Sequence, residues 1–270
     1  MDTRFWGPSG WRMLHMITFA YEPDKQKNAM RQFFELLPFV LPCKYCRANL
    51  IEHYKTLPVE KALQTRETLT KWLYDIHTLV NEKLRSQGQQ VPEEPSFAKV
   101  KEIYQERLDF GCSKTEFPGW EFLFSILESH PLSKSEQPLP FPDAPPKQSL
   151  KTKQDLLQWN YLSGSCRFNY VCRFWKLLPE VLPFQEWREI WKQEIKDCCS
   201  NTWESKDKSL RTLWKTRKTI EEKLDLLNKT SFSDLCKTLR YYKSGCGYKQ
   251  YRNTTTCRRL RSSTRKHKSH

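Results

Sequence analysis

The sequence contains no long apolar run, and its first residues show no signal-peptide pattern. Its 270 residues contain apolar stretches such as Phe33 to Leu41, but charge or proline interrupts each of them. All are far shorter than the roughly 20 residues that a membrane-spanning helix requires. The N-terminus, Met1 to Trp6, has no apolar segment of signal-peptide length. We therefore expect no membrane span and no secretory signal, and hence a cytoplasmic protein.

The sequence also lacks the alternation of polar and apolar residues that is typical of β-strands. Residues of one helix face instead recur at intervals of three and four, as Trp11, Leu14 and Thr18 do. This period predicts helices over residues 9–22, 25–37, 43–57, 68–85 and 97–108. The predicted fold class is all-α.

No second metal-binding pair accompanies the CxxC motif formed by Cys43 and Cys46. His53 and His77 do not have the ligand spacing that a zinc site usually shows, so we predict no metal. Pro42 is tolerated at a helix start and places both cysteines in a first turn. The helix dipole and the unpaired N–H groups there favour a thiolate, which suits the pair to thiol–disulfide exchange.

Acidic residues are absent from the end of the chain, although basic residues are frequent there. Much of the net charge of +15 lies from Lys249 onward. A basic segment of this kind, residues 249–270, is usually disordered and can bind nucleic acid non-specifically. A tail that only keeps the protein soluble explains the composition equally well.

Six prolines between residues 131 and 146 predict an extended linker over residues 116–150. This linker would separate a first domain, residues 1–115, from a second domain, residues 151–248. The basic tail, residues 249–270, would follow.

The second half repeats part of the first. The segment from Phe33 to Pro42 aligns without gaps with the segment from Phe174 to Pro183, and weaker matches follow in the same order. The two cysteines of the CxxC motif become Phe184 and Trp187 in the second copy. The tryptophan-rich start of the chain has no recognisable counterpart near residues 147–159. We therefore predict a degenerate second copy that keeps packing residues and loses reactive ones.

Three motifs follow one another in the first half: WGPSGWxxxH at residues 6–15, CxxC at residues 43–46 and HxxVN at residues 77–81. Together they resemble the Erv/ALR sulfhydryl oxidases, over residues 4–112. The resemblance implies a small helical bundle that holds FAD, with the CxxC disulfide beside the isoalloxazine ring. The implied enzyme is an FAD-dependent thiol:oxygen oxidoreductase, which takes electrons from a substrate dithiol and delivers them to oxygen as hydrogen peroxide.

The resemblance also assigns residues. Cys46 would be the flavin-proximal thiol, and Cys43 the interchange thiol that the substrate attacks. The implied FAD-binding residues are Trp6, Gly7, Trp11, His15, Tyr21, His77, Val80, Asn81 and Lys83. Lys83 can meet pyrophosphate charge as a point cation. Thr78 departs from the asparagine usual in the family, and Tyr21, Lys99 and Tyr104 are equally explained as packing or surface residues.

Many members of the family carry further cysteine pairs. Cys112 has no partner within the first copy, so the family's structural pair is missing there. Cys246 and Cys257 flank the start of the tail and are candidates for an electron relay. A structural bridge, for example between Cys166 and Cys172, and plain buried thiols are the alternatives, because connectivity cannot be deduced from sequence.

The resemblance extends to the type encoded by large DNA viruses, which adds C-terminal regions and forms disulfides in virion proteins in the host cytoplasm. It implies protein dithiols as substrates, a thioredoxin-like relay among them, and oxygen as acceptor. A homodimer and an internal pseudo-dimer both remain open. The alternative function is a non-catalytic nucleic-acid-binding or virion structural protein on a retired oxidase scaffold, against which the intact motifs argue. Thioredoxin-like exchange would require a βαβ setting that this chain lacks.

Overall fold

The computed structural model describes residues 1–111, 116–133, 136–196, 198–199, 203–226, 228 and 230–243. Within these ranges every regular element is an α-helix or a short 3₁₀ turn, which confirms the all-α prediction. The α-helices are α1 (Thr3–Phe19), α2 (Pro23–Val40), α3 (Lys44–Thr56), α4 (Arg66–Ser86), α5 (Phe97–Asp109), α6 (Trp120–Glu128), α7 (Lys153–Gln158), α8 (Gly164–Val181), α9 (Gln185–Glu194), α10 (Lys206–Lys223) and α11 (Phe232–Tyr241). None of the helices in the described ranges is both long and apolar enough to cross a bilayer.

Local side chains fix where the helices begin. The hydroxyl of Thr65 accepts from the backbone N–H of Thr68, and the hydroxyl of Thr68 accepts from the backbone N–H of Thr65. These two bonds form a capping box at the start of α4. Asp2 and Ser96 cap α1 and α5 through single side-chain bonds. The cap of α3 is unusual, because the sulfur of Cys43 accepts from the backbone N–H of Cys46.

The first half is a bundle in which α4 packs against both α1 and α3, while α5 packs against α1 and α2 packs against α3. Apolar residues of these helices, such as Ile17, Phe34 and Leu73, are fully buried. The bundle therefore brings the helix that starts with the CxxC motif next to the helix that carries HxxVN.

The second half packs directly on the first through α2 and α8. Phe33 stacks on Phe174 with ring centroids 5.3 Å apart, and Phe39 stacks on Tyr170 at 3.8 Å. One hydrophobic core runs through both halves as a result.

Helix α6 lies inside the segment expected to be a linker, residues 116–150. Its residues 122–127 are all buried, and it packs against α1 as well as α10 and α11. The proline-rich context concealed this short apolar helix, which is part of the core. The linker prediction is therefore wrong for α6.

One side-chain contact of the first half recurs in the second. The guanidinium of Arg47 donates to the carbonyl oxygen of Leu41 at 2.8 Å, and that of Arg188 donates to the carbonyl oxygen of Leu182 at 2.6 Å. Leu182 follows Leu41 in the sequence by the same number of residues as Arg188 follows Arg47. Phe174 follows Phe33, on which it stacks, at the same interval.

A second set of contacts recurs between α1 and α6. A Cβ placed on Gly10 would lie 3.3 Å from the ring of Phe122, and a Cβ placed on Gly119 would overlap the side chain of Met13. Gly119 follows Gly10 at the same sequence interval at which Phe122 follows Met13. Each helix therefore presents a glycine to the larger residue of the other.

The disulfide in the described residues joins Cys172 to Cys199, with Cα atoms 5.6 Å apart. A bridge between Cys166 and Cys172, one of the alternatives left open by the sequence, is not formed. Both residues lie on α8, where six residues span about 9 Å, beyond the Cα separation of a disulfide. Cys112, Cys246, Cys257 and the tail lie outside the described residues.

Candidate redox and cofactor site

Cys43 and Cys46 lie at the first turn of α3, and both are half-buried. The backbone N–H of Cys46 donates to the sulfur of Cys43 at 3.4 Å. Serine, threonine or aspartate oxygen normally accepts this bond at a helix start. A sulfur in that place is oriented toward the positive end of the helix dipole, which favours its thiolate form.

The surroundings lower the pKa of Cys43 to about 6. The hydrogen bond with the Cys46 side chain is the largest cause, and burial opposes it. The backbone N–H of Cys46 and the charge of Arg47 add to the effect. Cys43 is therefore largely a thiolate at pH 7, which is the nucleophilic and easily displaced form of a cysteine.

A cluster of four rings forms between α1, α4 and α5. Trp11 stacks on His77 at 4.0 Å, and His15 stacks on Tyr104 at 5.1 Å. The Nε2 of His15 and the Nδ1 of His77 lie 3.4 Å apart and share a hydrogen bond. Three of these residues are among the predicted FAD-binding residues, and Tyr104 joins them from α5.

Both histidines of this ring cluster are held neutral. Burial, followed by the neighbouring His77, lowers the pKa of His15 to about 3. Burial lowers the pKa of His77 to about 4, although Glu94 opposes it. At neutral pH the pair therefore has one N–H donor and one acceptor facing each other and adds no charge to the cluster.

Several buried atoms of the first half fit a planar cofactor. The Nδ1 of His15 and the Nε1 of Trp6 are buried without a hydrogen-bond partner, as is the Nε2 of His53 on α3. Buried polar atoms of this kind normally have a partner. A Cβ on Gly7 would meet nothing within 4 Å, so the chain leaves open space at that position. Flat rings, unpartnered polar atoms and open space together match an aromatic group with hydrogen-bonding edges.

Glu94 is a residue that sequence analysis missed at this site. Its carboxylate accepts from Thr78 at 2.8 Å, from Arg85 at 3.2 Å and from Asn81. Burial raises its pKa, but the hydrogen bonds from Thr78 and Asn81 and the charge of Arg85 outweigh burial and lower it overall. Asn81, a predicted cofactor residue, thus contacts a carboxylate from the loop before α5. No sequence motif marked Glu94, because it lies outside every motif.

The remaining candidates for FAD binding differ in how deeply they are buried and in what they contact. Val80 is half-buried and Lys83 is exposed on α4. Burial lowers the pKa of His53 on α3, and the charge of Lys83 lowers it further. Tyr21 is not part of the ring cluster: it is fully buried, and its hydroxyl donates to the carbonyl oxygen of Leu63 at 3.0 Å. Lys99 is exposed and pairs with a neighbouring glutamate.

The cysteine pair and the ring cluster are connected through α4. Tyr54 of α3 contacts Trp72 of α4, with ring centroids 5.5 Å apart, and α4 also carries His77. No group of three or more His, Cys, Asp or Glu side chains suited to a metal ion occurs in the described ranges. The arrangement can exchange disulfides at α3 and hold a planar group between α1, α4 and α5.

Residues 8–105 match the model of the Erv1 / Alr family. The probable FAD-linked sulfhydryl oxidase R368 of Acanthamoeba polyphaga mimivirus is 35% identical over 85 residues, which are 30% of this chain and 59% of that protein. The mitochondrial FAD-linked sulfhydryl oxidase ERV1 of Saccharomyces cerevisiae is 31% identical over 87 residues, 31% of this chain and 45% of that protein.

The chain thus spans about half the length of the curated relatives it matches. No solved structure gave a significant match. The matched region contains the CxxC motif and the ring cluster, and it ends within α5. Residues 8–105 are therefore similar in sequence to the Erv1/Alr family.

Proposed function

We propose that the protein is an FAD-linked thiol oxidase that forms disulfides in protein substrates. The observation that carries this proposal is the low-pKa Cys43 beside Cys46 at a helix start, in one bundle with a ring cluster in which the Nδ1 of His15 is buried without a partner. The names of the relatives, FAD-linked sulfhydryl oxidases, support the same activity.

The residues present fit FAD. Trp11, His15 and His77 offer ring faces and hydrogen-bonding nitrogens, the open space at Gly7 admits close approach, and Lys83 offers a cation. When bound, FAD would accept two electrons from the cysteine pair and return them to oxygen, giving hydrogen peroxide.

The cysteines carry out the exchange. A substrate thiolate attacks the sulfur of Cys43 in the Cys43–Cys46 disulfide, forms a mixed disulfide and releases Cys46 as a thiolate. The second substrate thiolate then attacks the substrate sulfur of the mixed disulfide and releases Cys43. The substrate thereby loses two electrons and two protons, and the cysteine pair gains the two electrons. The low pKa of Cys43 favours the second step, because a thiol of lower pKa leaves faster.

We also propose that the second half is a degenerate copy that pairs with the first half as an internal pseudo-dimer. The contacts of Arg47 and Arg188, which recur at the interval that also separates Phe33 from Phe174, support this. The sequence showed no counterpart of the tryptophan-rich start near residues 147–159. That counterpart is then α6, where Gly119 corresponds to Gly10.

The second copy would lack the chemistry of the first. At the interval that relates Gly119 to Gly10, Trp120 takes the place of Trp11 and Phe124 takes the place of His15. The guanidinium of Arg217 lies over Trp120 at 5.5 Å, where the first copy stacks His77 on its tryptophan. A phenylalanine offers no hydrogen-bonding edge, so this half is suited to packing rather than to holding FAD.

The activity is tested with the purified full-length chain. We expect flavin absorbance and oxygen consumption when a dithiol such as dithiothreitol is added. Cys43→Ser and Cys46→Ser should keep the flavin and lose turnover. Cys166→Ser, at a half-buried cysteine of the second half, is the matched control and should retain turnover. A folded protein that binds no FAD, or full turnover in both motif variants, would contradict the proposal.

The physiological setting is proposed from the relatives. We propose protein dithiols as substrates and a virus-type role in the host cytoplasm, because one relative is encoded by a mimivirus.

A further inference from the structure

The proline-rich segment between α6 and α7 lies against the CxxC motif. Residues 136–146, which we call the strap, contain five prolines and no helix. The ring of Phe141 stacks on that of Tyr45 with centroids 5.1 Å apart, and the ammonium of Lys44 lies 5.1 Å from the centroid of Phe141. Lys44 and Tyr45 are the two residues between the cysteines of the motif. The strap therefore covers the turn that joins the two cysteines.

Phe141 attaches the strap to the motif. Its side chain is 2% exposed, and it is the one buried residue that the structure describes between residues 132 and 150. Leu139, two residues earlier, is 82% exposed. Stacking and a cation over the ring both stabilise the buried position of Phe141. The attachment of the strap to the CxxC motif thus depends on a single aromatic side chain.

Residues that follow α7 hold the strap from its other side. The backbone N–H of Phe141 donates to the carbonyl oxygen of Trp159 at 3.3 Å. The side-chain amide of Asn160 donates to the carbonyl oxygen of Leu139 at 2.6 Å. Because α7 packs against α3, the strap runs between the CxxC motif and a turn that adjoins the same helix.

A covered CxxC motif limits which thiols can reach it. Thiol–disulfide exchange requires direct contact between the attacking sulfur and a sulfur of the disulfide, so its rate depends on access. A small thiol needs little room around the half-buried Cys43. A thiol on a folded protein carries bulk that meets the strap beside Lys44 and Tyr45. A large substrate therefore reacts from the state in which Phe141 has left the motif.

Opening of the strap is a local event. Segments with few buried contacts open without unfolding the rest of the protein, and the strap has one buried side chain. A minor state of this kind is typically populated at about 0.1–10%. A reagent that reacts only from the open state is slowed by that fraction.

We propose that Phe141 is a specificity-determining residue: in contact with the CxxC motif it admits small dithiols, and it restricts protein dithiols to those that displace the strap. The second half, which holds the strap through Trp159 and Asn160, thereby controls access to the cysteines of the first. The identity of the substrates rests on the proposed function, but the covering of Cys43 does not.

The covering is tested on the reduced full-length chain with thiol reagents, independently of FAD and oxygen. N-ethylmaleimide and a maleimide attached to polyethylene glycol share one reactive group and differ in bulk. Each reaction is stopped with excess dithiothreitol. Cys43 that escaped the maleimide is then alkylated with iodoacetamide and quantified by peptide mass.

Phe141→Ala should raise the rate of the bulky maleimide at Cys43 at least about tenfold, because an open fraction of ~10% or less limits that rate in the parent chain. N-ethylmaleimide should react at nearly the parent rate, since it does not need the strap to open. Tyr161→Phe removes a hydroxyl that donates to the carbonyl oxygen of Pro145 at 2.9 Å, and it should have a smaller effect in the same direction. Leu139→Ala, at the exposed residue of the same strap, is the matched control and should match the parent chain with both reagents.

The flavin-loaded protein extends the test to substrates. We expect Phe141→Ala to raise kcat/KM for a reduced protein dithiol such as thioredoxin relative to that for dithiothreitol, whereas Leu139→Ala should leave the ratio unchanged. Absence of oxidase activity in the parent chain would contradict the proposed function and leave the maleimide result in place.

A parent-like rate of the bulky maleimide in Phe141→Ala would overturn the proposal. Equal gains with both maleimides would also overturn it, because they would show a change in the thiols rather than in access. Slower turnover of the protein dithiol in both Phe141→Ala and Leu139→Ala would identify the strap as a docking surface instead. If Phe141→Ala does not fold, Phe141→Leu replaces it, and its smaller gain should again be confined to the bulky reagent.

Discussion

Lowering the pH from 7.5 to 5 should destabilise the protein through His15 and His77. Their pKa values in the folded chain are about 3 and about 4, below the usual value of 6.5 that they regain on unfolding. Below pH 6.5 the unfolded chain takes up protons that the folded chain does not. The free energy of unfolding therefore falls as the pH falls, until it levels off near pH 4 for His77 and near pH 3 for His15.

The magnitude follows from the pKa difference. One pH unit within this window corresponds to about 1.4 kcal/mol for each histidine. At pH 5, about 1.5 units below the unfolded pKa, each should have lost roughly 2 kcal/mol and the pair roughly 4 kcal/mol. A loss of this size is a large part of the ~5–15 kcal/mol that stabilises a typical domain.

The assay is urea unfolding of the FAD-free chain, followed by tryptophan fluorescence at pH 7.5, 6 and 5. His15→Phe is the informative variant, because it introduces the residue that α6 carries at Phe124. It should remove about half of the histidine contribution to the pH dependence, whatever its stability at pH 7.5. Carboxylates and other histidines titrate alike in both proteins and cancel in the comparison. An unchanged dependence in His15→Phe would refute the assignment of His15 as a buried neutral group.

Three further predictions concern packing and cofactor space. Gly119→Ala should lower the unfolding free energy by about 1–3 kcal/mol, because its Cβ would overlap Met13 on α1; a smaller change in urea unfolding would contradict this close contact. Gly7→Ala should leave the FAD-free chain as stable as the parent, because its Cβ meets nothing, yet weaken FAD binding in a flavin fluorescence titration; unchanged affinity would exclude Gly7 from the cofactor site. Phe33→Ala and Phe174→Ala should each cost about 3–5 kcal/mol, and their double-mutant cycle should give a coupling of about 0.5–1.5 kcal/mol, whereas strict additivity would argue against the stacked contact.

Much of the first half could be predicted from the sequence, because its helices carry regular apolar stripes. The predicted helix at residues 68–85 agrees with α4 within two residues at its start and one at its end. The predicted start of α1 at residue 9 is late, because Gly7 and Pro8 were not expected inside the helix that begins at Thr3. Helix α6 was missed because its nine residues are too few to show a period against a proline-rich background.

The site was predictable only where residues repeat along one helix. Trp11 and His15 share a face of α1, so their joint presence in the ring cluster follows from helical spacing. Glu94 contacts Thr78, Asn81 and Arg85 from the loop before α5, and no motif includes it. No local pattern indicates the packing of α2 on α8, which places Phe174 against Phe33.

That packing also bears on what the second half contributes. Phe33 and Phe174 are fully buried against each other, and the ring of Phe122 from α6 packs closely against Gly10. A first half separated from the second would expose these apolar surfaces to water at a cost of about 25 cal/mol per Å². The second half thus stabilises the domain that carries the cysteines without needing reactive groups of its own. This explains why reciprocal glycines and stacked rings occur in both halves, whereas the CxxC motif and the paired histidines occur in one.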